Sequence, residues 1–270
     1  MRSKSLRSTL SFILLLTASV SCSKEENAFR GTDGHIITFE LTAGGVTYNG
    51  AVTEGQVTIS VPEGVSLDNA SAKVTISENA AISPDPAGIT DWNTEEQFIV
   101  TSYNNIRRQY RYRLNRTPVT TSGNVVLASQ AEVDAFATTG ISVVDGNLTI
   151  GKVSGAVPAD TISDLSGLRN LKQVAHNITI NTTYGGENLA GLENLEKAGG
   201  LKIGAVKSLT DISLPGLHTI GTQLSISSVT AMNIHMPALA FVGEDLIVKS
   251  DSMRKADFGE LKTVGGSMLF

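Results

Sequence analysis

The sequence predicts an all-β protein of two domains: an N-terminal antiparallel β-sandwich, followed by a right-handed parallel β-helix with a short capping helix at its start. Three observations support this prediction. The chain of 270 residues is rich in glycine (26 residues) and poor in charged (17%) and aromatic (5%) residues, which argues against a helical bundle. Its first half alternates apolar and polar residues, and its second half repeats about every 22 residues.

Residues 1–21 have the pattern of a secretion signal. Basic residues precede the apolar run at 12–16, which is too short to remain as a membrane span. The only cysteine of the chain, Cys22, follows directly, and residues 19–22 resemble the lipobox of bacterial lipoproteins, although Ser19 stands where leucine is usual. The resemblance implies that Cys22 is acylated and anchors the chain in the outer membrane. Ordinary signal cleavage next to an incidental cysteine is the alternative.

A short charged segment follows the cysteine and begins a flexible tether over residues 22–34. It resembles the export signal that sends Bacteroidota lipoproteins to the outer face of the outer membrane, and it consists of Ser23, Lys24, Glu25 and Glu26. We therefore expect display on the cell exterior. A solvated tether on a protein facing the periplasm is the alternative.

Charge and cysteine content exclude several classes of function. The whole chain carries a net charge of −5, and removal of the basic leader leaves 18 basic against 26 acidic residues, a charge of −8. An anionic chain is poorly suited to nucleic acid, and a single cysteine allows neither an internal disulfide nor a cysteine-built metal site. We expect no cofactor.

The first domain is predicted over residues 35–116. Short alternating runs such as 56–61, 72–76 and 97–100 are separated by turn residues, which is typical of an antiparallel sandwich. The stretches 57–64 and 110–114 resemble the immunoglobulin-like modules that follow the anchor in many Bacteroidota surface lipoproteins. The resemblance implies that this domain is a spacer.

Five arginines near the end of this domain allow two interpretations. On a strand, Tyr110 and Tyr112 would face one way and Arg111 and Arg113 the other. A patch for acidic glycans or lipid phosphates is one interpretation; the favoured one is the solvated face of a last strand, protected by its charges against edge pairing. We expect the single tryptophan, Trp92, to fill the sandwich core.

A linker is predicted at residues 117–123 and a second domain at 124–270. The capping box Ser129-Gln130-Ala131-Glu132 predicts a short helix at the start of this domain. Apolar residues then recur with spacings of 24, 22, 22 and 22, so each unit is one coil of a solenoid that buries its apolar face only by stacking. One column of this structural ladder is Leu171, Leu195, Leu217, Leu239 and Leu261. Glycines recur at one bend, where we expect positive φ angles; these are Gly199, Gly221, Gly243 and Gly265.

The repeat also resembles a known extracellular fold. An ordinary leucine-rich repeat would place asparagines where Leu217 and Leu239 stand. The stretch 209–226 instead resembles the receptor L domain, the β-helical leucine-rich fold of growth-factor receptors. This resemblance implies an extracellular, ligand-facing solenoid but no particular ligand. We expect an uncapped final coil near Phe270, and hence either further chain or self-association through this end.

The sequence contains no catalytic motif. Four histidines do not converge by pattern, and Lys202 and Lys249 are candidates for chemistry only by their position beside ladder residues. Thr161 and Ser252 lie in short segments that resemble an O-glycosylation signal of Bacteroidota envelope proteins. We therefore predict no enzyme.

The preferred function is that of a lipid-anchored binding or adhesion protein, which presents the β-helix to an extracellular protein or glycan. A carbohydrate-active enzyme or accessory protein of polysaccharide utilisation, acting on one face of the β-helix, is an alternative. A structural component of the envelope is another.

Overall fold

The computed structural model describes residues 31–153, 160–227 and 230–270. The predicted leader, Cys22 and the export signal lie outside the described residues. The protein is mostly β, with 44% strand and 6% helix, and the predicted fold class is confirmed: β-sheets at the N-terminus and a parallel β-solenoid of about six turns.

The first domain packs two sheets face to face. Its three-stranded sheet has the order β2–β1–β5, and its five-stranded sheet the order β3–β4–β8–β7–β6. The strands are β1 (Ile36–Ala43), β2 (Val46–Asn49), β3 (Ala51–Thr53), β4 (Gln56–Pro62), β5 (Ser71–Ile76), β6 (Ala81–Ser83), β7 (Glu96–Thr101) and β8 (Arg107–Thr117), with a 3₁₀ turn at Pro86–Gly88. All pairs are antiparallel except β4 with β8, which is parallel.

Aromatic side chains fill the space between the sheets. Trp92 is fully buried, as expected, and its ring centroid lies 5.6 Å from that of Phe39 and 5.2 Å from that of Tyr112, both in edge-to-face geometry. The hydroxyl of Tyr112 donates a 2.9 Å hydrogen bond to the carbonyl oxygen of Trp92. Burial raises the pKa of Tyr112 to about 12, so this hydroxyl stays a donor at physiological pH.

Strand β8 lies between β4 and β7, in the middle of its sheet. Tyr110 and Tyr112 point into the core and Arg111 and Arg113 are exposed, as the alternation predicts. The explanation of the arginines as protection for an edge strand is wrong, because both edges of β8 are already hydrogen bonded.

The predicted linker is largely part of the second domain. β8 ends at Thr117, and β9 (Thr120–Ser122) pairs in parallel with β11 (Val143–Asp145) of the solenoid. Only Pro118 and Val119 separate the two strands. A polar, proline-containing stretch therefore begins the first coil. Parallel pairing supplies hydrogen bonds to its backbone groups, and this does not require a periodic pattern of apolar side chains.

In the part of the chain that the structure describes, the solenoid has three stacks of parallel strands. Two of the stacks belong to one 12-stranded sheet, because the long strands β13 and β14 pass through both of them. The third stack is the sheet β15–β18–β21. The remaining strands are β10 (Val125–Leu127), β12 (Leu148–Ile150), β13 (Gln173–Ile180), β14 (Lys197–Ile203), β15 (Asp211–Ser213), β16 (Thr219–Ile220), β17 (Leu224–Ser227), β18 (Asn233–His235), β19 (Phe241–Val242), β20 (Leu246–Lys249), β21 (Lys255–Asp257), β22 (Thr263–Val264) and β23 (Met268–Leu269).

The leucine column lies inside this solenoid. Leu171, Leu195, Leu217 and Leu239 are completely buried in one continuous apolar core. Leu261 is partly buried, because among the described residues its coil has a neighbouring coil on one side only. Met268, Leu269 and Phe270 of that coil are exposed.

A helix and a 3₁₀ turn cover the start of the solenoid. Helix α1 (Gln130–Ala137) begins where the capping box predicts: the Ser129 hydroxyl accepts from the backbone N–H of Glu132, and the Glu132 carboxylate accepts from that of Ala128. Val133 and Phe136 point into the core. The 3₁₀ turn at Ser166–Leu168 packs against this helix.

Close stacking of the coils, and not backbone conformation, explains the bend glycines Gly199, Gly243 and Gly265. None of the four bend glycines has a positive φ angle, so the prediction of positive φ angles at this bend is wrong. A Cβ on Gly243 would overlap the carbonyl oxygen of Gly221, and one on Gly265 would overlap that of Gly243. Successive coils therefore approach too closely at this corner to admit a side chain.

An asparagine column stands next to the glycine column in the first coils. Asn124 Oδ1 accepts a 2.9 Å hydrogen bond from the backbone N–H of Asn147, and Asn147 Oδ1 accepts a 3.0 Å bond from that of Asn177. This column lies outside the asparagine positions of the ordinary leucine-rich repeat, and the sequence-based prediction did not include it. Asparagine one residue before the apolar pair of each of the first three coils was the available signal.

Within the three described ranges, no helix has the length and apolar character required to cross a membrane.

Candidate binding surface

The third sheet of the solenoid presents two polar columns to solvent. Its central residues Ile212 and Ile234 are buried, so the residues on either side of them point outwards. One column is Asp211, Asn233 and Lys255, and the other is Ser213, His235 and Asp257. We call these six residues the polar face.

Hydrogen bonds between neighbouring coils hold the polar face in place. Asn233 Nδ2 donates to Asp211 Oδ1 at 2.6 Å, and His235 Nδ1 lies 3.0 Å from Asp257 Oδ2. The side chain of His235 is half exposed and that of Asp257 is 31% exposed. Because each partner comes from a different coil, both contacts depend on the register of the parallel strands.

The chemistry of this face suits a ligand with many hydroxyl groups. Carboxylates accept hydrogen bonds, the ammonium group donates them, and the amide and imidazole can do both. These groups repeat at the coil spacing of about 4.8 Å along one sheet. Such a surface can bind an extended chain of polar units without enclosing it.

One column contains a serine, a histidine and an aspartate in succession, but these residues are not arranged as a nucleophilic site. They are Ser213, His235 and Asp257. The imidazole does face the carboxylate, but Ser213 makes no hydrogen bond with His235 among the described residues. Activation of a serine requires that contact.

The other predicted candidates are dispersed. His35 lies at the start of the sandwich, where its Nδ1 is 3.2 Å from the hydroxyl of Tyr110, and His176 and His218 are exposed. Lys202 and Lys249 are exposed on β14 and β20. No cluster of three or more histidine, cysteine, aspartate or glutamate residues suitable for a metal occurs in the part of the chain that the structure describes.

The two residues of the O-glycosylation prediction differ in exposure. Ser252 is exposed in a turn before β21, whereas Thr161 is partly buried. The methyl group of Thr161 faces Gly185 closely enough that a Cβ there would contact it. Their modification stays a prediction.

A second polar site lies where the two domains meet. Glu63, which directly follows β4, forms a 2.7 Å ion pair with Lys172, which directly precedes β13. A cavity of about 180 Å³ beside the pair is also lined by Arg116, Arg169 and Asn194. No local sequence pattern indicates this pair, because its members are distant in the chain and belong to different domains.

Electrostatics favour the ionised form of both partners. Burial opposes ionisation of Glu63, but hydrogen bonds from Lys172 and Ser142 and the positive charges of Lys172 and Arg116 outweigh it and lower the pKa of its carboxyl. The hydrogen bond with Glu63 raises the pKa of Lys172, against a partial effect of burial. The pair therefore stays charged at physiological pH and joins the domains.

Comparison with known proteins relates the first domain to a surface family. Residues 36–114 match the family model for the N-terminal domain of SGBP, the surface glycan-binding proteins of Bacteroidota. The chain is similar to these proteins over its first domain. This match, together with the β-solenoid, supports a Bacteroidota surface protein.

Two solved structures show weaker likeness. One, from Bacteroides thetaiotaomicron and provisionally assigned as a glycoside hydrolase, is 17% identical over 37% of this chain with a TM-score of 0.29, and the match spans only 28% of its length. The other, from Bacteroides fragilis and provisionally assigned as a secreted protein, is 14% identical over 32% of this chain and 97% of its own, with a TM-score of 0.24. A search of curated proteins found no match.

Proposed function

We propose that this chain is a lipid-anchored surface protein that binds an extracellular glycan on its solenoid and performs no chemistry on it. The similarity of residues 36–114 to the N-terminal domain of surface glycan-binding proteins is the observation on which the proposal depends. In this proposal the first domain is an immunoglobulin-like spacer, and the solenoid is a receptor L-type domain whose polar face binds the ligand.

The anchor and its side of the membrane are part of the proposal. Acylation of Cys22 would attach the chain to the outer membrane, and Ser23, Lys24, Glu25 and Glu26 would direct it to the outer face. The short tether up to residue 34 would then place the sandwich next to the membrane and the solenoid beyond it. A polar binding face is useful in that arrangement because the ligand arrives from the medium.

The junction between the domains supports the proposal that the sandwich holds the solenoid rigidly. Only two residues connect β8 to β9, and the Glu63–Lys172 pair links the domains beside that connection. A rigid junction reduces the entropy that the protein loses when a long ligand binds.

Binding of the chain from residue 23 onward to an array of neutral and acidic glycans tests the proposal. We expect retention of at least one glycan, with no shortened product released. The variant Asn233→Ala/His235→Ala/Asp257→Ala should lose that binding, and Lys202→Ala/Lys249→Ala, which changes exposed residues on another face, should keep it.

Other results would contradict the proposal. Absence of binding to every glycan, with retention of host proteins, would favour protein adhesion. Release of shortened glycan would favour an enzyme. Absence of any ligand would leave the structural role in the envelope as the better explanation.

A further inference from the structure

The outer surface of the five-stranded sheet carries a row of arginines. Along β8, Arg107, Gln109, Arg111 and Arg113 are exposed and alternate with the inward-facing Tyr110 and Tyr112. Residues two apart on a strand are separated by about 6.6 Å, so the guanidinium groups of Arg111 and Arg113 are neighbours on one surface.

The neighbouring strands offer these arginines amides and hydroxyls. Arg111 lies between Gln56 of β4 and Gln97 of β7, and Arg113 lies beside Thr58 of β4. We call this surface the arginine face, defined by Arg107, Gln109, Arg111, Arg113, Gln56, Thr58 and Gln97.

The positive charge of the arginine face is poorly compensated. The guanidinium of Arg113 lies 3.9 Å from the carboxylate of Glu95, and both side chains are about half exposed or more. Arg107 and Arg111 have no acidic side chain within 4 Å among the described residues. Like charges on one strand repel each other, and this occurs in a chain whose net charge is −5.

The other two arginines of the cluster have structural roles. Arg108 donates to the carbonyl oxygen of Thr32 at 3.1 Å, and Arg116 donates to the carbonyl oxygens of Pro62 and Val65 and to Asn93 Oδ1. Both lie at positions that alternate with the arginine face. The cluster of five is thus divided into two residues that hold loops and three that are available to a ligand.

Two shallow cavities lie along the same row. One, of about 180 Å³, is lined by Gly55, Gln56, Gln97, Gln109 and Arg111. The other, of about 360 Å³, is lined by Ile99, Arg107, Arg108 and Gln109. Gln109 lines both, so the two cavities are neighbours beside exposed guanidinium groups.

We propose that the arginine face is a second binding surface, which binds a linear glycan bearing carboxylate or sulfate groups. Guanidinium groups bind such anions through paired hydrogen bonds, and the intervening amides and hydroxyls match the hydroxyl groups of the sugars. Protection of a sheet edge does not explain the arginines, because β8 is a central strand. The surface lies on the first domain and is independent of the glycan site on the solenoid.

Charge complementarity and the composition of the face favour a glycan over membrane phosphate. A membrane surface attracts clustered basic residues through charge alone. The regular insertion of Gln56, Gln97 and Gln109 between and beside the arginines supplies neutral hydrogen-bonding groups that a lipid headgroup layer does not require.

The test measures binding of polygalacturonate and heparin to the chain from residue 23 onward, with dextran as the neutral polymer. We expect both polyanions to bind, with affinity that falls as salt rises, and dextran not to bind this face. The variant Arg107→Gln/Arg111→Gln/Arg113→Gln should lose at least about tenfold in affinity. Lys197→Gln/Lys202→Gln/Lys249→Gln removes the same charge from the solenoid and should retain the affinity.

Three results would overturn the proposal. These are failure of both polyanions to bind at low salt, an equal loss in the lysine variant, and binding of vesicles that contain phosphatidylglycerol without binding of either polyanion. A circular dichroism spectrum and an unfolding midpoint equal to wild type establish that the arginine variant is folded. The arginine variant should still bind any glycan whose binding requires Asn233 and His235. This result distinguishes failure of the arginine face from failure of the solenoid site.

Discussion

Glu63 of the sandwich and Lys172 of the solenoid form an ion pair with 2.7 Å between Oε1 and Nζ. The side chain of Glu63 is only 13% exposed, whereas that of Lys172 is 44% exposed. The pair lies close to the two-residue connection between the domains, and Ser142 of the solenoid also helps to lower the pKa of the same carboxyl. The Glu63 carboxylate thus makes a polar contact between the two domains.

Replacement of Glu63 by Gln should lower the free energy of unfolding by about 1 kcal/mol at pH 7, since solvent screens the exposed lysine. The pKa of Glu63 is lowered on folding, so its contribution is present above its ordinary value of 4.5 and is lost as the pH falls through the folded pKa. Denaturation in urea at pH 7 and pH 3 checks this. The difference between wild type and variant should shrink at pH 3.

The contribution of Lys172 to the free energy of unfolding changes at the alkaline end of the pH range. Its pKa is raised above 10.5, so its contribution to stability is present below that pH and is lost as the pH rises through the folded pKa.

Glu260→Gln is a suitable control for Glu63→Gln, because the Glu260–Lys262 pair spans 3.8 Å on the surface and should contribute little to stability. A loss in the control equal to that of Glu63→Gln would contradict a special role of the junction.

Gly243→Ala should destabilise the solenoid by about 1–3 kcal/mol or more, because the new methyl group meets the carbonyl oxygen of Gly221 on the preceding coil. Gly204→Ala is the matched control: its Cβ would lie 3.7 Å from the nearest atom, and its φ angle is not positive. Thermal unfolding of both variants is the measurement. Equal stability of the two would show that the corner admits a side chain.

Leu217→Ala should cost about 2–5 kcal/mol, because it removes a fully buried side chain between two coils and leaves a cavity. Leu261→Ala, in the last coil, should cost less, since that side chain is only partly buried. Chemical denaturation monitored by circular dichroism compares them. The reverse order of stability would contradict the placement of these residues along one column.

Cys22→Ala should abolish incorporation of labelled fatty acid and move the chain from the membrane fraction to the soluble fraction. Replacement of Lys24, Glu25 and Glu26 by alanine should leave acylation intact but protect the chain from protease added to whole cells. Ser5→Ala, in the leader, is the control and should change neither. Continued acylation of the Cys22 variant would contradict the predicted anchor.

The arginine cluster shows how far the sequence predicts a surface. Alternation alone predicts that Tyr110 and Tyr112 face the core and that Arg111 and Arg113 face solvent, because side-chain direction on a strand has a period of two. Whether β8 is an edge or a central strand depends on which distant segments pair with it. Its parallel partner β4 begins about fifty residues earlier, and no local pattern indicates that pairing.

The glycine column shows the same division. The 22-residue period predicts coils and their buried columns, because burial imposes a periodic apolar pattern on the sequence. The reason for glycine at the corner is a close approach between Gly221 and Gly243, which is a distance between coils and not a property of either residue alone.

The sequence by itself determined the β class, the repeating solenoid, the buried leucines and the capped helix at its start, since each depends on propensity, periodicity or capping within one segment. Only the tertiary structure decided the central position of β8, the inclusion of Thr120–Ser122 in the first coil, the pairing of His235 with Asp257 and the Glu63–Lys172 contact. Each of these joins segments that are distant in the chain or on different coils, and such contacts are selected by the packing of the whole fold.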